Sequence, residues 1–141
     1  MPSQRTKVDV VCGKKENKKM TVQELYAAIG DYEEAKKRLM SDKLIAKFVV
    51  KFPADPSYGQ LMEAWEKEDS DGIFRASHTL KGVSANLALT RLFEPVNQIT
   101  EAYRPGHEER RAEVDLSALI REIQMKYQDT VEAIREYEQT L

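Results

Sequence analysis

The C-terminal part of the sequence carries one long apolar stripe at the spacing of an α-helix. From Val114 to Tyr137 the apolar positions recur about once per helical turn, at Leu116, Leu119, Ile120, Ile123, Tyr127, Val131 and Ile134. Such a stripe lines one face of a helix and has to be buried against other elements. Because no segment shows a convincing β-strand pattern, those elements are expected to be helices, which restricts the chain to an all-α fold.

Capping residues and the same apolar spacing indicate the other helices. Thr21 and Glu24 form a capping box for a short helix that ends at Gly30. Asp31 is expected to cap a longer helix that runs to about Phe52. The remaining predicted helices cover residues 58–68, 71–88, 90–104 and 114–137.

The connections between these segments predict how the helices are arranged. Thr90 is expected to cap the helix over 90–104, and residues 107–111 are predicted as a charged loop. Short connections favour antiparallel neighbours, so we predict an up-down four-helix bundle with a short extra N-terminal helix over residues 21–141. Residues 1–20 lack apolar periodicity and end in a lysine-rich run, and they are predicted to be a mobile N-terminal tail.

Composition excludes several broad classes of protein. A chain of 141 residues with a formal net charge of −2 is expected to be one domain without a basic surface for nucleic acid. No apolar run reaches the ~20 residues of a membrane span, and the N-terminus has no signal-peptide core. The single cysteine, Cys12, cannot form an internal disulfide. We therefore expect a cytoplasmic protein that binds neither nucleic acid nor membrane.

The helix predicted over 71–88 separates chemically reactive positions from apolar ones. One stripe, at positions i, i+3, i+4 and i+7, consists of His78, Lys81, Gly82 and Ala85. The other side carries a seven-residue repeat, Ile73, Leu80 and Leu87. Since the apolar repeat should face the core, the imidazole should face solvent.

The residue types around this imidazole suit the transfer of a phosphoryl group. A neutral imidazole is a nucleophile, and its phosphorylated product is an anion that Lys81, one turn along, can stabilise. Glycine in a helix interior costs roughly 1 kcal/mol relative to alanine. Gly82 is therefore expected to have a steric purpose, which is to leave room for a large partner to approach His78.

A helical hairpin would place a second set of side chains beside His78. Counting back from a turn near residues 89–90 puts the antiparallel neighbours of His78 around residues 98–101. Gln98 or Thr100 is predicted to hydrogen-bond the imidazole or the phosphoryl oxygens. Arg104, a turn further on, is predicted to add positive charge to the same surface.

The segment His78-Thr79-Leu80-Lys81-Gly82, followed by Asn86-Leu87, resembles the signature of histidine-containing phosphotransfer (HPt) domains. The resemblance implies a phosphoryl carrier of two-component signalling that relays the group between aspartates of receiver domains. It implies that His78 accepts the phosphoryl group, Lys81 stabilises its charge and Gly82 provides clearance. The implied partners are a response-regulator receiver domain and a hybrid sensor histidine kinase, and the receiver brings the aspartate and Mg²⁺.

Two positions depart from the family pattern. The family usually has glycine where this chain has Ala88, which affects the turn after the motif more than the chemistry. Pro95 is unusual in the second helix of the hairpin and is expected to bend its entry.

Two alternatives to the relay stay open at the level of sequence. In the first alternative, the chain is a helical adaptor that docks receiver domains without being phosphorylated. In the second, it is a phospho-accepting domain of a larger histidine kinase. It is not clearly an enzyme in its own right, because nothing resembles an ATP site. No cofactor is expected, and His78 and His107 have no nearby cysteine with which to form a metal site.

Overall fold

The computed structural model describes residues 19–141, and all of the regular structure in that range is helical. The elements are α1 (Val22–Ile29), α2 (Tyr32–Leu39), α3 (Asp42–Val49), a 3₁₀ turn (Phe52–Ala54), α4 (Ser57–Glu66), α5 (Ser70–Asn86), α6 (Thr90–Ala102), α7 (Glu108–Glu113) and α8 (Leu116–Gln139). Apart from its last two residues, the tail predicted over 1–20 lies outside the described residues.

Four helices form the bundle. Helix α5 packs between α4 and α6, and α6 packs on α8. The bundle closes where Tyr58 of α4 stacks on Tyr127 of α8, with ring centroids 3.7 Å apart. The short α1 lies across α8, as the additional N-terminal helix of the predicted all-α bundle.

The predicted apolar stripes form the core. Ile73, Leu80 and Leu87 of the α5 segment are all buried. The α8 stripe contributes five buried side chains, Leu119, Ile120, Ile123, Val131 and Ile134. Since these positions face inward, the opposite face of α5 is the one that meets solvent.

The predicted caps also form, with one exception. Thr21 and Glu24 make the reciprocal capping box. Asp31 accepts a hydrogen bond from the backbone N–H of Glu34. Thr90, however, is the first residue of α6 rather than its cap, and the capping position is held by Leu89 without a side-chain bond.

The long helix predicted from Asp31 to Phe52 is wrong, because the chain breaks it in two. Met40 adopts a left-handed conformation with φ 76° and ends α2. Ser41 then caps α3 by accepting from the backbone N–H of Leu44. The apolar pattern advances by five residues from Leu39 to Leu44, and this irregular step was the signal of the break.

The charged loop predicted over 107–111 is also wrong, since Glu108–Glu113 forms α7. Acidic residues in its first turn and Arg110 and Arg111 in its last turn favour a helix through the helix dipole. Arg111 ties α7 to α6, because its guanidinium lies 4.5 Å from the Tyr103 ring centroid and its Nε donates to the Ala102 carbonyl at 3.1 Å.

The turn between α5 and α6 is held by the end of α1. The Tyr26 hydroxyl donates to the Leu87 carbonyl at 2.7 Å, and burial raises the pKa of Tyr26. The Asp31 backbone N–H donates to the Ala88 carbonyl at 3.1 Å. Ala88 is left-handed, with φ 54°, a conformation in which glycine would be less strained.

Gly30 is required by the close approach of this turn. A Cβ atom at residue 30 would lie 2.0 Å from the Ala88 carbonyl oxygen. Gly30→Ala is therefore expected to lower the free energy of unfolding by about 1–3 kcal/mol, as overpacking does. Urea unfolding followed by circular dichroism measures the loss. Gly59→Ala is the control, because a Cβ at Gly59 meets nothing within 4 Å; equal stabilities for the two variants would contradict the close contact.

Among residues 19–141, no helix combines the length and apolar character that crossing a bilayer requires.

Candidate functional site

His78 lies near the middle of α5 with its side chain exposed to solvent. The helix is capped by Asp69, whose carboxylate accepts from the Gly72 backbone N–H at 3.0 Å. Ile73 and Leu80 on the other face are 1% and 0% exposed and fix the rotation of the helix. The outward orientation of the imidazole therefore follows from the burial of the apolar repeat.

A shared carboxylate pairs two cations beside this histidine. Lys81 Nζ of α5 lies 3.5 Å from Glu101 Oε2 of α6. Arg104 donates to both oxygens of the same carboxylate, from Nη2 to Oε2 at 2.8 Å and from Nε to Oε1 at 3.1 Å. The hydrogen bonds from Arg104 lower the pKa of Glu101 to about 2, with the charges of Arg104 and Lys81 contributing. Glu101 is consequently ionised at any pH near neutrality.

Phe74 connects His78 to Arg104. Its ring lies one turn before His78 on α5, with ring centroids 5.6 Å apart and planes tilted by 46°. The Arg104 guanidinium lies 5.3 Å from the centroid of the same ring, within the range of a cation–π contact. The half-buried Phe74 thus limits the space on one side of the imidazole and contacts both His78 and Arg104.

Gly82 leaves the surface beside His78 open. A Cβ atom built at this position meets no atom within 4 Å outside its own helix backbone, in the part of the chain that the structure describes. Its φ is not in the left-handed region. Neither internal packing nor backbone conformation therefore demands glycine at this position.

The structure brings together only part of the predicted neighbourhood. Arg104 contacts Phe74, whose ring contacts His78, and it shares Glu101 with Lys81. Thr100 does not: it is fully buried, and its hydroxyl donates to the Val96 carbonyl at 2.7 Å. Gln98 is exposed but lines a cleft toward α7, with Arg110 and Glu113. Rotation of α6 about its axis decides this, and sequence spacing alone does not fix that rotation.

The sequence reasoning missed the roles of Glu101 and Phe74. Glu101 precedes Arg104 by three residues, which is the spacing of an ion pair on a helix, and this was the available signal. Phe74 lies four residues before His78, so the two rings share one stripe of α5.

An apolar groove of about 500 Å³ adjoins the C-terminal half of α5. Its lining includes Leu39, Phe48, Phe52, Val83 and Leu87, with Arg38 and Lys51 among its charged residues. Phe48 on α3 remains 40% exposed, and Leu44, one turn earlier on α3, is 38% exposed. We call this surface, lined by Leu39, Phe48, Phe52, Val83 and Leu87, the apolar groove.

Within residues 19–141, no group of histidine, cysteine and carboxylate side chains is arranged to hold a metal ion. The described part of the site consists of the exposed His78 imidazole, two cations that share the Glu101 carboxylate, the open surface at Gly82 and the apolar groove.

These features define a helical bundle that presents an exposed histidine, His78, on the solvent face of one helix. The family model of the Hpt domain matches residues 45–137, more than half of the 141-residue chain, so the chain belongs to the Hpt family. Hpt domains carry out histidine phosphotransfer in phosphorelays. No curated protein and no solved structure matches the chain.

Proposed function

We propose that this protein relays a phosphoryl group through His78 between aspartates of receiver domains. The observation that carries the proposal is the exposure of His78 on the cleared face of α5, inside the region matched by the family model. A receiver domain of a hybrid sensor histidine kinase is the proposed donor, and a response-regulator receiver is the proposed acceptor. The cytoplasm is the proposed compartment.

The transfer step needs only groups that the two proteins supply. The unprotonated ring nitrogen of His78 attacks the phosphorus of the receiver's aspartyl phosphate. An N–P bond forms, the P–O bond to the aspartate breaks, and the electron pair leaves with the carboxylate. Passing the group on reverses these events, with the carboxylate of the next receiver as the nucleophile. Lys81, one turn from His78 on α5, and Arg104, against the Phe74 ring that also contacts His78, are the cations proposed to attract the phosphoryl oxygens.

Clearance at Gly82 supports an in-line approach of the receiver. The attacking and leaving atoms must lie about 3 Å from the phosphorus on opposite sides, so two protein surfaces have to meet at His78. The open space above Gly82 gives the partner's backbone room to come this close.

The test is transfer from receiver domains of the same organism, phosphorylated in advance and mixed with this protein in buffer containing Mg²⁺. We expect label on this protein that is labile in acid, as an N–P bond is, and located in the tryptic fragment that begins at Ala76. Acid-stable label on the neighbouring Ser77 or Thr79 would contradict the proposal. Binding of a receiver without any label would instead identify an adaptor.

The apolar groove is the proposed docking surface for the receiver. A transient signalling interface buries a modest area, often less than about 1,200 Å², and an exposed aromatic side chain near its centre contributes much of the affinity. Phe48 of α3 and the half-buried Val83 of α5 provide such a surface beside the C-terminal half of α5.

Phe48→Asp is expected to weaken receiver binding about tenfold, because it places a charge where an apolar contact forms. Titration by fluorescence anisotropy or calorimetry measures the Kd. Met125→Asp is the matched control, since Met125 is also an exposed apolar residue but lies on α8. Equal losses for both variants, or none for Phe48→Asp, would place the docking surface elsewhere.

A further inference from the structure

The two cations beside His78 are already engaged before any phosphoryl group arrives. Glu101 Oε2 is shared, at 2.8 Å from Arg104 Nη2 and 3.5 Å from Lys81 Nζ. The three side chains are between 25% and 35% exposed, so water screens their attraction less than it does for a free surface pair. The resting site therefore contains a compact network with one negative and two positive charges.

A phosphoryl group on His78 competes with Glu101 for these cations. Lys81 lies one turn from His78 on the same helix, and Arg104 is held over the Phe74 ring that also contacts His78. The phosphoryl oxygens carry up to two negative charges and accept the same hydrogen bonds as a carboxylate. Each bond that Lys81 or Arg104 makes to the phosphoryl group weakens its bond to Glu101.

Building on the proposed function, we propose that Glu101 is a positioning residue that limits how strongly Lys81 and Arg104 stabilise phosphorylated His78. The Glu101 carboxylate holds Lys81 and Arg104 in place. Because it neutralises part of their positive charge, it weakens their attraction for the phosphoryl group, which is then transferred more readily to the next receiver. Glu101 does not touch the reacting atoms and acts through the cations that it binds. Its loss stabilises the phosphorylated form and retards transfer out of it.

The test uses Glu101→Gln and a donor that needs no receiver. Phosphoramidate transfers its phosphoryl group to a histidine nitrogen and releases ammonia, so the full-length protein is loaded chemically. We expect the half-life of phosphorylated His78 to increase roughly fivefold in Glu101→Gln, the size of one part-exposed ion-pair coupling. The equilibrium with a receiver aspartate should shift toward His78 by the same factor, and Glu132→Gln on α8 should change neither quantity.

A double-mutant cycle separates action through the cations from simple repulsion by the carboxylate. If Glu101 acts through the cations, its replacement has no effect in a Lys81→Gln/Arg104→Gln background. A persisting fivefold effect in that background would overturn the proposal, because Glu101 would then act by its own charge alone. An unchanged half-life in the single variant would overturn it as well.

The outcome for the wild-type protein distinguishes this inference from the proposed function. If wild-type protein takes no phosphoryl group at His78 from phosphoramidate or from receivers, the relay itself fails. If the wild type is loaded and transfers normally while Glu101→Gln behaves identically, only the role of Glu101 fails. Should Glu101→Gln lose helical circular dichroism, Glu101→Ala is tested in its place with the same expected outcomes.

Discussion

Replacing His78 by glutamine is expected to abolish phosphoryl transfer while leaving the fold intact. Glutamine preserves the polarity and approximate size of the side chain but has no nucleophilic nitrogen. Transfer should fall by more than about a thousandfold, to the limit of detection, as it does when a nucleophile is removed. Because His78 is exposed and its removal leaves no cavity, the free energy of unfolding should change by no more than about 0.5 kcal/mol.

His107 provides the matched control for this experiment. It is the only other histidine of the sequence and lies at the start of α7, away from α5. His107→Gln should accept and pass on the phosphoryl group at the wild-type rate, measured by the appearance of acid-labile label. Full transfer by His78→Gln, or equal losses in the two variants, would refute the assignment of His78.

The second large effect is expected at Gly82, where stability and transfer should change in opposite directions. Gly82→Ala should raise the free energy of unfolding by about 0.5–1 kcal/mol, because alanine favours the helix and the added Cβ meets open space. Gly82→Gln should slow transfer between this protein and a receiver by about a hundredfold, since a displacement of about 1 Å between reacting groups has a cost of that order.

Gly59 is the control for Gly82. It is also an exposed glycine within a helix, in α4, and a Cβ there likewise meets nothing within 4 Å. Gly59→Ala should stabilise the fold by a similar amount, and Gly59→Gln should leave transfer rates unchanged. Thermal unfolding and single-turnover transfer measure the two effects. A slow Gly59→Gln variant would mean that helix stability, rather than access to His78, governs the rate.

Local signals in the sequence predicted most of the helices because each signal depends on neighbouring residues. Thr21 with Glu24 and Asp31 each satisfy backbone N–H groups within three residues, so their caps form as predicted. The helix break at Met40 was not predicted, because a step of five residues from Leu39 to Leu44 is close to the spacing of one continuous helix and the cap formed by Ser41 is a short local signal. Helix α7 was missed because it buries no residue and so has no apolar stripe to detect.

The candidate site was predictable along α5 but not across to α6. His78 and Lys81 belong to one helix, whose buried repeat fixes the direction of both side chains. Thr100 and Glu101 are adjacent in sequence, yet the first is buried in the core and the second bonds Lys81. A rotation of α6 by one residue exchanges these two roles, and that rotation depends on the packing of α6 against α5 and α8.

Two hydrogen bonds join the end of α1 and the residue before α2 to the turn between α5 and α6. The family model matches from residue 45 onward, whereas Tyr26 and Asp31 supply the donors for two backbone carbonyls of the hairpin. A fragment trimmed to the matched stretch would lose α1 with its buried Leu25 and Ile29, and it would lose the protein donors to both carbonyls. The segment that identifies the family, residues 45–137, is thus shorter than the segment that packs together in the fold.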